Sequence, residues 1–130
     1  MILLDTHVVV WLSFDYGRIS GKAQQAIKEA RTGEGGIAVS SITLLEIARL
    51  SNYGRIHLTP DLETFLSDLE MRFVVLPITA NIASQAFELL PEFPKDPVDR
   101  VIAATSLIED APLVTADGAI KRSRAVPVIW

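Results

Sequence analysis

The chain has 130 residues, of which 49% are hydrophobic, enough for one ordinary domain with a proper core. It contains no cysteine and two histidines, which excludes disulfides, thiolate metal sites and histidine-rich metal centres. A formal net charge of −4 excludes a nucleic-acid binder that works by bulk positive charge, though not an enzyme whose positive charge is a bound metal ion.

Met1 to Leu4 is a short apolar run ended by Asp5, which suits a strand buried on both faces. No basic region precedes its apolar residues, so it reads as a first strand and not a signal peptide. The following apolar run, Val8 to Leu12, falls far short of the roughly 20 residues that span a bilayer, so the cytoplasm is the expected location. Ser20 opens a stretch of good helix formers stopped by Gly33, Gly35 and Gly36, which predicts a helix from about Gly21 to Arg31. IAVS (37–40) is the next strand. Ser40 or Ser41 can cap the helix after it, which carries Ile42, Leu44, Leu45, Ile47 and Leu50 and ends near Gly54.

Thr59 and Pro60 form a cap-then-proline signature for a further helix before the strand FVVLP (73–77). Thr79 to Leu90 reads as helix, broken by Pro91 and Pro94. Asp96 and Pro97 start another, because an Asp side chain accepts orphan backbone N–H groups and Pro loses nothing at the first helical position. Along it Val101, Ile102, Thr105 and Ile108 can pack on a sheet, and DAP (110–112) stops it. LVT (113–115), a short helix from Asp117 with KRSR (121–124) as its solvated end, and VPVIW (126–130) complete the chain. Strands alternating with helices argue a parallel sheet wrapped on both faces. In such sheets the functional crevice lies outside the carboxyl ends of the strands.

Four carboxylates fall where that crevice is expected. Asp5 follows the first strand, Glu46 interrupts the apolar face of the helix after the second, Asp99 sits in the first turn of the DPVDR helix, and Asp117 follows LVTA. Three have a structural alternative: a cap for Asp5 and Asp117, an intrahelical pair with Arg49 for Glu46. Four close carboxylates raise one another's pKa unless a cation intervenes, and a hard divalent ion held by oxygen ligands resolves that repulsion. Such an ion suits hydrolysis of a nucleic-acid backbone.

The segments LLDTHVVVWL, SSITLLEIARL, FPKDPVDRVIAATS, LVTADGAI and VPVIW together resemble PIN-domain ribonucleases of the VapC type, the toxins of type II toxin–antitoxin modules, in the same order from Met1 to Trp130. The resemblance implies a single PIN domain over 1–130, an α/β fold with a five-stranded parallel sheet flanked by helices on both faces. It implies an endoribonuclease in which Asp5, Glu46, Asp99 and Asp117 bind Mg²⁺ or Mn²⁺ and position the attacking water. Thr6 and Thr115 match the hydroxyl positions that support the site, and Arg100 matches the motif either as a structural salt bridge or as a contact to RNA phosphate. His7 and Trp11 follow the pattern without a required catalytic role, Trp11 as core or interface packing. The implied partners are a transfer or ribosomal RNA substrate, a VapB-like antitoxin that wraps the toxin and obstructs its acidic site, and a second copy in a homodimer, with no membrane.

Other α/β readings fit less well. A phosphoacceptor receiver needs adjacent acids after the first strand and an Asp ending a central strand, yet Asp5 stands alone and FVVLP carries none. A haloacid-dehalogenase-like phosphatase needs an Asp where His7 stands, and a nucleotide-binding domain needs a glycine-rich loop that DTHVVVW lacks. The remaining alternative is a PIN domain that binds RNA or a partner, or cuts RNA, without a toxin role.

Overall fold

The computed structural model describes residues 1–59 and 61–130. Strands β1 (Ile2–Leu4), β2 (Ile37–Ser40), β3 (Val74–Leu76), β4 (Leu113–Val114) and β5 (Val128–Ile129) form one sheet in the order β3-β2-β1-β4-β5, with all four pairings parallel. Helices α1 (Thr6–Phe14), α2 (Gly21–Thr32), α3 (Ser41–Asn52), α4 (Leu62–Arg72), α5 (Ala80–Ala86), α6 (Pro97–Ile108) and α7 (Gly118–Ser123) connect the strands, with a 3-10 turn at Tyr16–Arg18. The expected α/β architecture is the observed one.

Side chains alternate across the strands, and each face gathers its own core. Leu4, Val39 and Val114 join Val8, Val9, Ile27, Ile47 and Leu69 on one side, whereas Leu3, Ala38 and Leu113 join Phe93, Ile102, Ala103 and Ile120 on the other. Helix α6 is enclosed from Val101 to Ser106 without a break. Its two consecutive alanines let α5 approach, so Ala104 and Val101 pack against Ile82 and Ala86. Ile108, expected on the sheet side, is exposed at the helix end instead. The enclosed positions are set by two neighbours, and a single apolar stripe does not describe them.

Several helix starts follow the expected chemistry. Ser20, Ser40, Thr79 and Asp96 accept N–H groups from Ala23, Ile42, Ile82 and Val98. Gly54, at φ +70°, closes α3 in the left-handed conformation that favours glycine. Two expectations need correction, and one helix carries no sequence signal. The cap of α4 is Asp61, whose Oδ1 accepts the Thr64 N–H at 2.8 Å, and not Thr59; Pro60 of the expected signature lies outside the described residues. Helix α5 stops at Ala86, four residues before the expected Leu90, because the Phe87 and Glu88 N–H groups turn back to Ser84 and Gln85. Helix α1 occupies a stretch in which no polar face interrupts the apolar residues, so no helical period marks it in the sequence.

Candidate active site

The strand order reverses at β1: the chain moves from β1 through β2 to β3 on one side, and β4 and β5 lie on the other. In open parallel sheets a crevice forms at such a switch point, beyond the carboxyl ends of the strands. Asp5 leaves β1 there and Thr115 leaves β4 beside it. Helix α3 leaves β2 at the same edge, and α6 begins there.

Asp5 is 3% exposed, and its carboxylate is held on both oxygens. Oδ1 accepts the Thr6 N–H at 2.8 Å, capping α1, while Oδ2 accepts the Thr115 hydroxyl at 2.7 Å. Thr115 Oγ1 in turn accepts the Asp117 N–H at 3.0 Å, so one hydroxyl ties together the ends of β1 and β4 and the turn into α7. Thr6 and Thr43 share a hydroxyl contact of 3.1 Å that links α1 to α3. His7 Nε2 accepts the Ala116 N–H at 2.9 Å, which leaves the ring proton on Nδ1, 3.7 Å from Asp5 Oδ2. Trp11 is half-buried against the His7 and Trp130 rings with the Arg18 guanidinium over its face, consistent with the packing role expected for it.

A cleft of about 160 Å³ opens at this corner, lined by Asp5, Thr6, His7, Glu46, Leu50, Asp96, Val98 and Asp99. Three acids of the expected quartet therefore meet in one cleft. Asp117 is not among its lining residues, yet it connects to Asp5 through Thr115. Asp117 also caps α7, its Oδ1 accepting the Ala119 and Ile120 N–H groups, so the cap reading holds alongside any other role. Glu46 makes the pair with Arg49, Oε1 at 2.7 Å from Nη2 and Oε2 at 3.0 Å from Nε. Asp96 caps α6 through Val98, as its sequence position predicts, and also lines the cleft as a further acid outside the expected quartet. The three-residue spacing of Asp96 and Asp99 across Pro97 was its sequence signal.

Arg100 points away from the cleft acids. It donates to the Ala86 and Phe93 carbonyls at 3.2 Å each and lies 5.8 Å from the centre of the Phe93 ring. It forms no salt bridge among the described residues, which corrects the structural reading offered for it. It ties the end of α5 and the loop after it to the start of α6.

Asp99 shows what the gathered charge does. Its carboxyl is pushed up to about 7, chiefly by burial and further by the charges of Asp5, Asp96, Asp117 and Glu46. A cation beside this carboxyl would favour its ionised form. The donors are hard oxygens, the set that suits a small divalent ion. Among the described residues no three acids yet converge into a coordination shell, because Glu46 faces Arg49 and Asp117 faces the α7 backbone. The donor chemistry and the charge of the cleft fit such an ion. A larger hollow of about 540 Å³ lies at the other end of the strands beside Gly36, Ile37 and Phe73, and no acid of the quartet lines it.

Comparison with known proteins agrees with this fold. The PIN domain family profile matches residues 2–125. Ribonuclease VapC22 of Mycobacterium tuberculosis is 36% identical over 123 residues, covering 95% of this chain and 92% of that protein. Among solved structures, VapBC2 from Rickettsia felis bound to a promoter DNA fragment superposes with a TM-score of 0.71 at 21% identity, over 98% of this chain and 97% of that one. DNA-bound VapBC from Salmonella typhimurium gives a TM-score of 0.71 at 19% identity, with the same coverage.

Proposed function

The chain belongs to the PIN-domain family, among the VapC-type ribonucleases, and from that premise we propose that it acts as a single PIN domain over 1–130, an endoribonuclease toxin of a type II toxin–antitoxin module. The observation that carries the site assignment is Asp99, its carboxyl raised to about 7 in a cleft shared with Asp5 and Glu46. Asp5, Asp99 and Glu46, with Asp117 adjacent, are the residues that would hold Mg²⁺, with Mn²⁺ as a substitute. Bound there, the ion supplies the positive charge that lowers the pKa of a water and stabilises the leaving oxygen of a phosphodiester.

The chain's own residues prepare that chemistry. Thr6 and Thr115 fix both oxygens of Asp5, so its carboxylate needs little reorganisation. His7, through the Ala116 N–H, holds the turn that carries Asp117 against α1. A cation held beside Asp99 would favour its ionised form, offsetting the burial and the neighbouring charges that raise its carboxyl. Arg100 has a positioning role, holding the base of α6.

The substrate is RNA of the transfer or ribosomal class, recognised by shape and unpaired loops. A VapB-like antitoxin is the expected partner, and a basic side chain suits a cleft with this much negative charge. Exposed Leu45, Phe87 and Leu90 give apolar surface suited to a homodimer. No helix among the described residues is long and apolar enough to cross a membrane; the cytoplasm is the proposed location. The test is cleavage of structured RNA by purified protein with Mg²⁺ or Mn²⁺. Equal cleavage by wild type and Asp99→Asn, with contaminating nuclease excluded, would sink the site assignment. Sequencing RNA ends after brief expression would identify the target.

A further inference from the structure

An RNA phosphate cannot approach the cleft lined by Asp5, Glu46, Asp96 and Asp99 on electrostatic grounds alone. A cation must receive it, and one guanidinium is already at the rim. Arg49 is the only Lys or Arg within ion-pair distance of a cleft acid among the described residues. It takes Glu46 as a fork, at 2.7 Å and 3.0 Å on the two oxygens. The same side chain lines a hollow of about 360 Å³ with Glu46, Asp96 and Val98, and another of about 330 Å³ with Leu50, Tyr53 and Arg55. Leu50 and Glu46 are shared with the acidic cleft, so both hollows border it.

Resting on the nuclease reading above, we propose that Arg49 is a substrate-binding residue held on Glu46 in the free protein, which passes to an RNA phosphate when a divalent ion takes the Glu46 carboxylate. The guanidinium and the ion are both cations and need the same carboxylate, so each disfavours the other. The fork is readily displaced, because the Arg49 side chain is 55% exposed and water screens the pair. Once displaced, the guanidinium has somewhere to go. Tyr53, 67% exposed, already lies with its ring centre 5.8 Å from the Arg49 guanidinium carbon while the fork is closed, so the ring can keep hold of the side chain when the fork opens, and Arg55 adds a second positive charge in the same hollow. A cation that also covers the acid keeps the metal-free cleft from carrying its full repulsion.

Competition for Glu46 makes the two affinities move in opposite directions when Arg49 is removed. Mn²⁺ binding to the full-length protein would be measured by calorimetry without RNA. RNA binding would be measured by fluorescence anisotropy on labelled bulk transfer RNA with Ca²⁺ present, integrity being checked on a gel. Arg49→Ala is expected to bind Mn²⁺ about 2- to 5-fold tighter, as a weak competing pair implies. It should bind RNA about tenfold more weakly, with the slope of log affinity against log salt reduced by about 1. Arg49→Lys keeps the charge without the fork, so it should share the tighter Mn²⁺ binding while retaining most RNA affinity. Unchanged RNA affinity and salt slope, or unchanged or weaker Mn²⁺ binding in Arg49→Ala, would make Arg49 a helix-surface pair and overturn the proposal. Wild-type protein that binds neither Mn²⁺ nor RNA would overturn the nuclease reading itself, and the proposal with it.

Discussion

Asp5 and Asp99 line one cleft and are held in different ways. Asp5 is the more deeply buried, yet it sits against the sheet edge with both oxygens accepting hydrogen bonds from Thr6 and Thr115. Asp99, half-buried on α6, accepts no hydrogen bond among the described residues and its carboxyl is raised to about 7. What sets them apart in the structure is the pair of fixed donors on Asp5, which Asp99 lacks. The strand side of the cleft carries its own compensation, and the helix side is left to be compensated by something that binds.

The largest expected effect breaks the helix side. Asp99→Asn should lower RNA cleavage on the order of a thousandfold, the scale of a lost charge-stabilising group, with the fold retained by circular dichroism. Asp5→Asn should lower it comparably while also costing stability, because it disturbs a cap and the Thr115 link. Thr115→Val tests the strand side alone. Losing the hydroxyl that fixes Asp5 should reduce activity roughly 10- to 100-fold and destabilise the protein by about 1 to 2 kcal/mol, read by denaturant titration.

The pH dependence of the metal-free protein sharpens the same contrast. The folded value for Asp99 lies above the ordinary 3.8, so the native state keeps a proton that the unfolded chain has released. This contribution is fully present below about pH 4 and is lost as pH rises through about 7. After discounting for solvent screening, the loss should be about 1 to 2 kcal/mol. Chemical unfolding of wild type between pH 4 and 8 should show this decline superimposed on the other titrations, and Asp99→Asn should remove it. Mn²⁺ affinity should weaken below pH 7, since the ion must displace the Asp99 proton. The smallest effect belongs to Asp96→Ala: about 1 kcal/mol of stability from the lost cap. Activity should change little, and the Asp99 carboxyl should titrate lower without its neighbour's charge, a shift visible by carboxyl NMR.

Much of this molecule was legible in order along the chain. Alternating apolar runs and capped helices gave the parallel sheet, and the strand ends located Asp5 and Asp117 because a charge mid-strand would lack the polar partners found at a strand's end. The pair between Glu46 and Arg49 was readable from a spacing of three on one helix. Helix α1 was not, since a stretch apolar on every side has no period to read. Arg100 was open between two roles and took a third, because its partners are carbonyls brought near by the turn after α5.

Local chemistry acts over a few residues, so the sequence by itself determined the elements, their caps and the inventory of acids. Which of those acids share a cleft was decided only by the tertiary structure. The Thr115 hydroxyl reaches Asp5 across 110 residues because β1 and β4 are neighbours in the sheet, and the start of α6 is carried to the same edge. The raised carboxyl of Asp99 follows from that convergence, since repulsion between charges depends on distance in space and not along the chain.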